Sequence, residues 1–145
     1  MRWIAFAAGG LGVLVAGIAA VGSMLPRNHR ASRTLRVKRS PAEVWPALLQ
    51  ATKASSTPVD VIESSPPSRL VTRVTEAEKN FGGTWTIVIS ARPDGSDVTI
   101  TEDGWVANPI FRFVSRFVMG HHATMDGVLT QVGTALDEEP ALSGE

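Results

Sequence analysis

Apolar and polar side chains alternate along two neighbouring segments between Thr84 and Val106. Alternation with a period of two is typical of strands that bury one face. Residues 93–96, with the sequence Pro-Asp-Gly-Ser, give a turn signal between the two segments. The pattern therefore predicts a β-hairpin. Its inward apolar positions are Trp85, Ile87, Ile89, Val98 and Ile100.

The length of this turn gives an expected pairing register for the hairpin. If Arg92 pairs with Asp97, the indole of Trp85 covers the bare glycine at position 104 in the neighbouring strand. The same register places Ile89 opposite Ile100, Ile87 opposite Glu102 and Trp85 opposite Gly104.

Strict alternation also places Glu102 on the same face as Val98 and Ile100. An unpaired carboxylate is costly on an apolar face. Either a bulge near Asp103 turns Glu102 outward, which is the interpretation we favour, or the carboxylate is a polar group at the mouth of a cavity.

A periodicity of three and four residues begins after the hairpin. Asn108 offers an N-cap and Pro109 suits the first helical position, so a helix is predicted to begin there. The apolar stripe that follows predicts one long amphipathic helix, Asn108–Leu136. The stripe consists of Ile110, Val114, Phe117, His121, Met125, Val128, Val132 and Leu136.

Shorter signals fill the chain before the hairpin. Residues 34–39 predict a strand, and Ser40 with Glu43 forms a capping-box signature at the start of a helix. Residues 59–63 and 69–75 predict two further strands around a turn rich in serine and proline.

The N-terminal end differs in composition from the rest of the chain. Residues 3–26 carry no charge, and residues 3–25 would span roughly 33 Å as a helix, about the hydrocarbon thickness of a bilayer. We therefore predict that residues 1–26 form a membrane anchor that contacts the bilayer through residues 3–25. A cleavable signal peptide is the alternative, because residues 19–23 contain the small side chains that a signal peptidase accepts.

Basic residues follow this segment, beginning with a juxtamembrane linker at residues 27–31. By the positive-inside tendency, the C-terminal domain of a single-pass protein is predicted to be cytoplasmic. Cleavage of a signal peptide would instead give a secreted or periplasmic protein. Residues 32–136 suffice for one small domain, and the acidic residues 137–145 predict a flexible tail.

The composition excludes several classes of function. The chain has 145 residues, a formal net charge of zero and no cysteine. A neutral domain has no general attraction for nucleic acid, and a chain without cysteine has no thiolate nucleophile or thiolate metal site. His122 and Asp126 stand four apart on the predicted helix, where a surface ion pair is a better interpretation than a two-ligand metal site. We predict no metal and no cofactor.

Several segments together resemble a known family. Ser-Pro-Ala-Glu-Val-Trp-Pro-Ala-Leu at residues 40–48, Phe-Gly-Gly-Thr-Trp-Thr-Ile at 81–87, and Ile-Thr-Glu-Asp-Gly at 100–104 leading into Asn-Pro-Ile-Phe-Arg-Phe look like START-like proteins of the polyketide cyclase/dehydrase and lipid-transport (SRPBCC) family. The resemblance covers residues 32–136. It implies an α+β helix-grip fold, in which an antiparallel sheet wraps a long C-terminal helix, here preceded by one transmembrane helix.

The resemblance also implies an apolar cavity between sheet and helix for a hydrophobic small molecule or lipid. The family has no single catalytic signature, so no catalytic residue is carried over. The sheet is shorter than is typical by about two strands, which leaves an edge that a partner or a second copy would cover.

His121 is either a pocket acid or base or, preferably, a hydrogen-bonded core histidine. The candidate ligand-binding residues are Trp85, Ile87, Ile89, Ile100, Glu102, Phe113, Phe117 and His121.

Two classes of function follow from these expectations. The preferred one is a membrane-anchored module that binds a hydrophobic small molecule or lipid beside the bilayer. The alternative is a non-enzymatic interaction protein whose shortened sheet pairs with a partner or with itself, as a possible homodimer. A cyclase/dehydrase-like enzyme is a third and weaker interpretation, because no nucleophile, phosphate loop or metal set is evident.

Overall fold

The computed structural model describes residues 2–55, 58–74, 80–120 and 122–144, with side chains from residue 8 onward. An antiparallel sheet with helices packed on it confirms the predicted α+β class. In chain order the elements are α1 (Arg2–Met24), β1 (Asn28–Val37), α2 (Pro41–Ala54), β2 (Val59–Ser65), β3 (Arg69–Val74), β4 (Phe81–Arg92), β5 (Gly95–Val106), α3 (Pro109–Val114), a π-helical turn (Ser115–Met119), α4 (Ala123–Ala135) and β6 (Ala141–Ser143).

The predicted hairpin forms β4 and β5 within a six-stranded sheet of order β2-β3-β4-β5-β1-β6. The predicted register is wrong by two residues, because Arg92 pairs with Gly95 and the turn is shorter than expected. Gly95 adopts a φ of 147°, which favours glycine and allows this tight closure. A shift of two residues leaves every side chain on its predicted face. Ile89 lies opposite Val98, Ile87 opposite Ile100 and Trp85 opposite Glu102.

The bulge that we favoured near Asp103 is not formed. β4 and β5 are described throughout, and they pair without interruption from Phe81–Val106 to Arg92–Gly95. Glu102 therefore keeps the inward orientation that alternation gives it. The carboxylate is tolerated there because neighbouring side chains donate hydrogen bonds to it.

β1 is longer than predicted. It begins at Asn28, so most of the predicted linker at residues 27–31 is strand, paired with the distal half of β5. Alternation places His29, Ala31 and Leu35 on the inner face of the sheet. The extra length brings residues next to α1 into the folded domain.

The prediction of a flexible tail over residues 137–145 is wrong for the residues of β6. Leu142 pairs with Leu35 of β1 and packs against the core. Glu138 accepts the backbone N–H of Lys38 through both carboxylate oxygens, at 3.0 and 2.9 Å. These contacts with β1 hold the acidic segment in place.

α2 begins where the capping-box signature predicts. The backbone N–H and the hydroxyl of Ser40 donate to the Glu43 carboxylate at 3.0 and 2.7 Å. These hydrogen bonds stabilise the charged form of the Glu43 carboxyl and lower its pKa. The bond from the Ser40 backbone has the largest effect, followed by the bond from the Ser40 hydroxyl. α2 and α4 pack on the sheet around a shared core. Its fully buried members include Leu35, Leu48, Ile87, Ile100, Met125 and Leu129.

The single long helix predicted over residues 108–136 is wrong. The N-cap at Asn108 forms as expected, but α3 ends at Val114 and gives way to the π-helical turn. Gly120 then adopts a φ of 74°, and α4 starts only at Ala123. The positive φ of Gly120 lets the chain change direction there. The apolar periodicity stays in phase on both sides of the glycine, so the sequence pattern does not reveal the break. Of the segments described within the predicted helix, α4 is the one that packs on the core of the sheet, as expected of the grip helix.

The C-terminal end of α1 packs against α3. Gly22 is buried against the backbone of Pro109, and Arg112 Nη1 donates to the carbonyl of Leu25 at 2.7 Å. The transmembrane helix predicted within residues 1–26 is not supported: among the residues that the structure describes, no helix is long and apolar enough to cross a membrane.

Candidate functional site

A cavity of about 140 Å³ lies on the inner face of the sheet, beside the end of α2 and the start of α4. Gly83, which carries no side chain, lines it from β4. We call it the Trp85 cavity. Its lining includes Val59, Thr72, Val74, Phe81, Trp85 and Glu102.

Glu102 supplies the acidic group of this cavity. Trp85 Nε1 donates to Glu102 Oε2 at 2.5 Å, and His29 Nε2 lies 2.8 Å from Glu102 Oε1. The side chains of His29 and Glu102 are 18% and 21% exposed. A carboxylate so enclosed is stabilised by hydrogen bonds from both neighbours. The cavity therefore combines an apolar wall with one fixed, hydrogen-bonded carboxylate.

His29 is a residue that the sequence analysis missed, because the predicted strand begins only at Thr34. The ring of His29 lies over Gly104, and a Cβ built on that glycine would come within 2.6 Å of His29 Cε1. The bare glycine predicted opposite Trp85 thus makes room for a histidine. The signal that identifies His29 is its two-residue spacing from Ala31, which extends the alternation of β1.

Some of the candidate ligand-binding residues line the cavity and others do not. Trp85 and Glu102 line the Trp85 cavity. Ile87, Ile89 and Ile100 are buried in the core beneath α2 and α4 and are not among the residues that line the cavity. α2 and α4 cover these three residues, whereas the cavity lies beside Gly82 and Gly83.

Phe113 and Phe117 lie outside the sheet, in α3 and the π-helical turn. Their ring centroids are 4.9 Å apart, and Phe117 is 60% exposed. The glycine break before α4 separates them from the grip helix, so the structure does not bring them to the Trp85 cavity. His121 lies outside the described residues.

Asp126 is held by an arginine of the sheet. Arg33 donates to its two carboxylate oxygens from Nε at 2.8 Å and from Nη2 at 3.2 Å. This bidentate, half-buried pair fastens α4 to β1. Among the residues that the structure describes, no group of three or more acidic or histidine side chains is placed to hold a metal ion.

A second acidic residue, Asp97, pairs on the outer face of the sheet. Partial burial raises the pKa of its carboxyl, but hydrogen bonds from Arg92 and Arg36 outweigh that effect and hold the pKa below its ordinary value. Arg92 Nη1 and Arg36 Nε lie 3.1 and 3.2 Å from Asp97 Oδ1. This cluster joins β1, β4 and β5 at the end of the sheet that carries the β4–β5 turn.

The fold is similar to several solved structures. A conserved protein from Geobacillus kaustophilus is 12% identical at a TM-score of 0.61, over 79% of this chain and 99% of that one. A protein from Mesorhizobium loti is 12% identical at a TM-score of 0.56, over 77% and 97%. A protein from Chromobacterium violaceum is 14% identical at 0.51, over 79% and 100%. These likenesses show the fold, which is compatible with a helix-grip. No family model and no curated protein matches the chain.

Proposed function

We propose that this protein is a START-like binding module that takes the apolar part of a hydrophobic small molecule or lipid into the Trp85 cavity. The observation that carries the proposal is the cavity itself: an apolar wall of Val59, Val74 and Trp85 beside the carboxylate of Glu102. Pockets for small molecules combine a mostly apolar lining with a few fixed polar groups in this way. The carboxylate favours a ligand that carries a hydroxyl or another hydrogen-bond donor.

The size of the cavity limits which part of a ligand enters. A volume of about 140 Å³ is close to that of an apolar cavity that accommodates benzene, roughly 150 Å³, and is smaller than a typical drug-sized pocket. A single ring or the end of a short chain therefore fits. Phe81 lines the cavity and is 48% exposed, so apolar surface continues outside for the rest of the ligand.

The proposal includes attachment to a membrane. Residues 3–26 carry no charged side chain, which is the composition of an anchor, and basic residues follow directly. An anchored domain would take a lipophilic ligand from the adjacent bilayer. Resistance of the full chain to alkaline carbonate extraction from cell membranes tests this part, and release into the supernatant would overturn it.

An interaction module is a second candidate, favoured by the edge strand β2. Residues 60–65 of this strand are exposed, and Val61 is 57% exposed. An exposed apolar edge is a template for pairing with another strand. Sedimentation of the detergent-solubilised full chain, with the detergent contribution matched out, tests self-pairing: a dimer supports it, and a monomer at high concentration argues against it.

The ligand proposal is tested by native mass spectrometry of the full chain, extracted gently from the expressing cells. Thr124 lines the cavity from α4 and Thr130 is exposed further along the same helix, so Thr124→Phe and Thr130→Phe form a matched pair. We expect the wild type and Thr130→Phe to retain an added mass that denaturation releases. Thr124→Phe should retain at least tenfold less. Equal retention by both variants would place the bound molecule elsewhere.

A further inference from the structure

A second cavity, also of about 140 Å³, lies where α1 ends beside β1 and α3. Three arginines line it: Arg27 from the connection before β1, Arg112 from α3 and Arg116 from the π-helical turn. We call it the basic cleft. None of the residues that line it is acidic, so no carboxylate in the lining balances the positive charge of the arginines.

The arginines of the basic cleft differ from those of the sheet. Arg33 and Arg36, for example, each pair with an aspartate. Within the described part of the chain, Arg27 and Arg116 form no ion pair. Guanidinium groups without a carboxylate partner, gathered in a concave site, suit a phosphate group, which accepts several hydrogen bonds in their planar geometry.

Arg112 gives a second, independent indication of a ligand. Its Nη1 donates to the carbonyl of Leu25 at 2.7 Å, and its Nη2 donates to the carbonyl of Ala107 at 3.3 Å, so the side chain ties α1 to the end of β5. Its Nε is buried and has no hydrogen-bond partner within the described residues. Buried donors are rarely left unpaired, and an anion in the cleft would offer this one an acceptor.

The neighbourhood of the cleft favours a lipid as the source of that phosphate. Directly after Arg116, the side chains of Phe117, Val118 and Met119 are 60%, 70% and 65% exposed. Exposed aromatic and aliphatic side chains next to arginines are typical of segments that lie in the membrane interface, where cations meet headgroups and apolar side chains reach the acyl region.

We propose that the basic cleft binds the phosphate group of an anionic lipid headgroup, while residues 117–119 contact the acyl region beside it. The proposal goes beyond ligand binding in the Trp85 cavity and does not require that cavity to be filled. Thr124→Phe should therefore leave it unchanged, so failure of one proposal is distinguishable from failure of the other.

The test uses native mass spectrometry of the full chain in maltoside micelles with equal amounts of dioleoyl phosphatidylglycerol and dioleoyl phosphatidylcholine. The test variant is Arg27→Gln with Arg116→Gln, which spares the structural Arg112. The control variant is Lys53→Gln with Arg73→Gln, which removes the same charge from exposed positions on α2 and β3. Circular dichroism confirms that both variants are folded.

We expect the wild type and the control to retain phosphatidylglycerol in preference to phosphatidylcholine. The test variant should lose that preference by roughly 30-fold, the effect of removing two cationic contacts with an anionic headgroup. Equal retention of both lipids by the wild type would overturn the proposal, as would an equal loss in the control. If millimolar inorganic phosphate displaces phosphatidylglycerol completely, the cleft is a site for free phosphate and the lipid assignment is wrong.

Discussion

Replacement of Gly104 by alanine tests the geometry around Glu102. A Cβ at this position would come within 2.6 Å of His29 Cε1 and 2.7 Å of His29 Nε2, closer than real Cβ contacts allow. The imidazole must move away, and the 2.8 Å hydrogen bond between His29 and Glu102 is lost. A hydrogen bond to a charged group contributes about 1.5–3 kcal/mol. Because the half-buried ring can swing toward solvent, we expect Gly104→Ala to destabilise the domain by about 1–2 kcal/mol.

Gly127→Ala is the matched control for this change. Gly127 lies in α4 with open space around its Cα, so alanine should stabilise the helix by up to about 1 kcal/mol. Urea unfolding of the full chain in detergent, followed by circular dichroism, measures both variants. In a His29→Ala background the steric conflict is gone, and Gly104→Ala should then cost much less. An equal cost of Gly104→Ala in both backgrounds would refute this reasoning.

Three further predictions concern how the sheet holds its helices and its charges. A double-mutant cycle on Arg33→Gln and Asp126→Asn, measured by urea unfolding, should give a coupling free energy of about 1–2 kcal/mol, which lies between the values for exposed and for buried ion pairs. Additive effects of the two substitutions would contradict the bidentate contact. Leu129→Ala should destabilise by about 2–5 kcal/mol in the same assay, because the side chain is fully buried, and a loss below about 1 kcal/mol would show that α4 does not pack as described. Because the folded-state pKa of Asp97 is lowered, its stabilisation should be fully present at neutral pH and be lost progressively as the pH falls below about 4 and through the folded-state pKa, so Asp97→Asn should destabilise by about 1 kcal/mol at pH 7 and by clearly less at pH 3. A deficit of Asp97→Asn that is as large at pH 3 as at pH 7 would contradict the ion-pair account.

Local signals in the sequence predicted local structure. The capping box at Ser40 and the alternation through Trp85 each depend on residues a few positions apart, and both elements formed as expected. The register of the hairpin depends on how the turn closes, which the residues 93–96 do not fix by themselves. A register error of two residues does not change which side chains face inward, because side chains alternate with a period of two.

Long-range contacts account for what the sequence did not reveal. β6 has only three residues and forms because β1, about one hundred positions earlier, offers Leu35 as a pairing partner. His29 was hidden because its strand begins beside an apolar segment, and its role depends on Gly104 across the sheet. The break at Gly120 was missed because the apolar stripe continues in phase on both sides of it.

The most direct test of the central claim is to locate a bound ligand by intermolecular nuclear Overhauser effects. The full chain, isotope-labelled in deuterated detergent, is mixed with 4-butylphenol, whose ring suits the cavity volume and whose hydroxyl suits the Glu102 carboxylate. We predict contacts from the ring to the Trp85 indole and the Val74 methyl groups, which belong to the apolar wall of the cavity. Contacts confined to the exposed Phe117 and Val118 would contradict the account, because the probe would then bind only the surface beside α1.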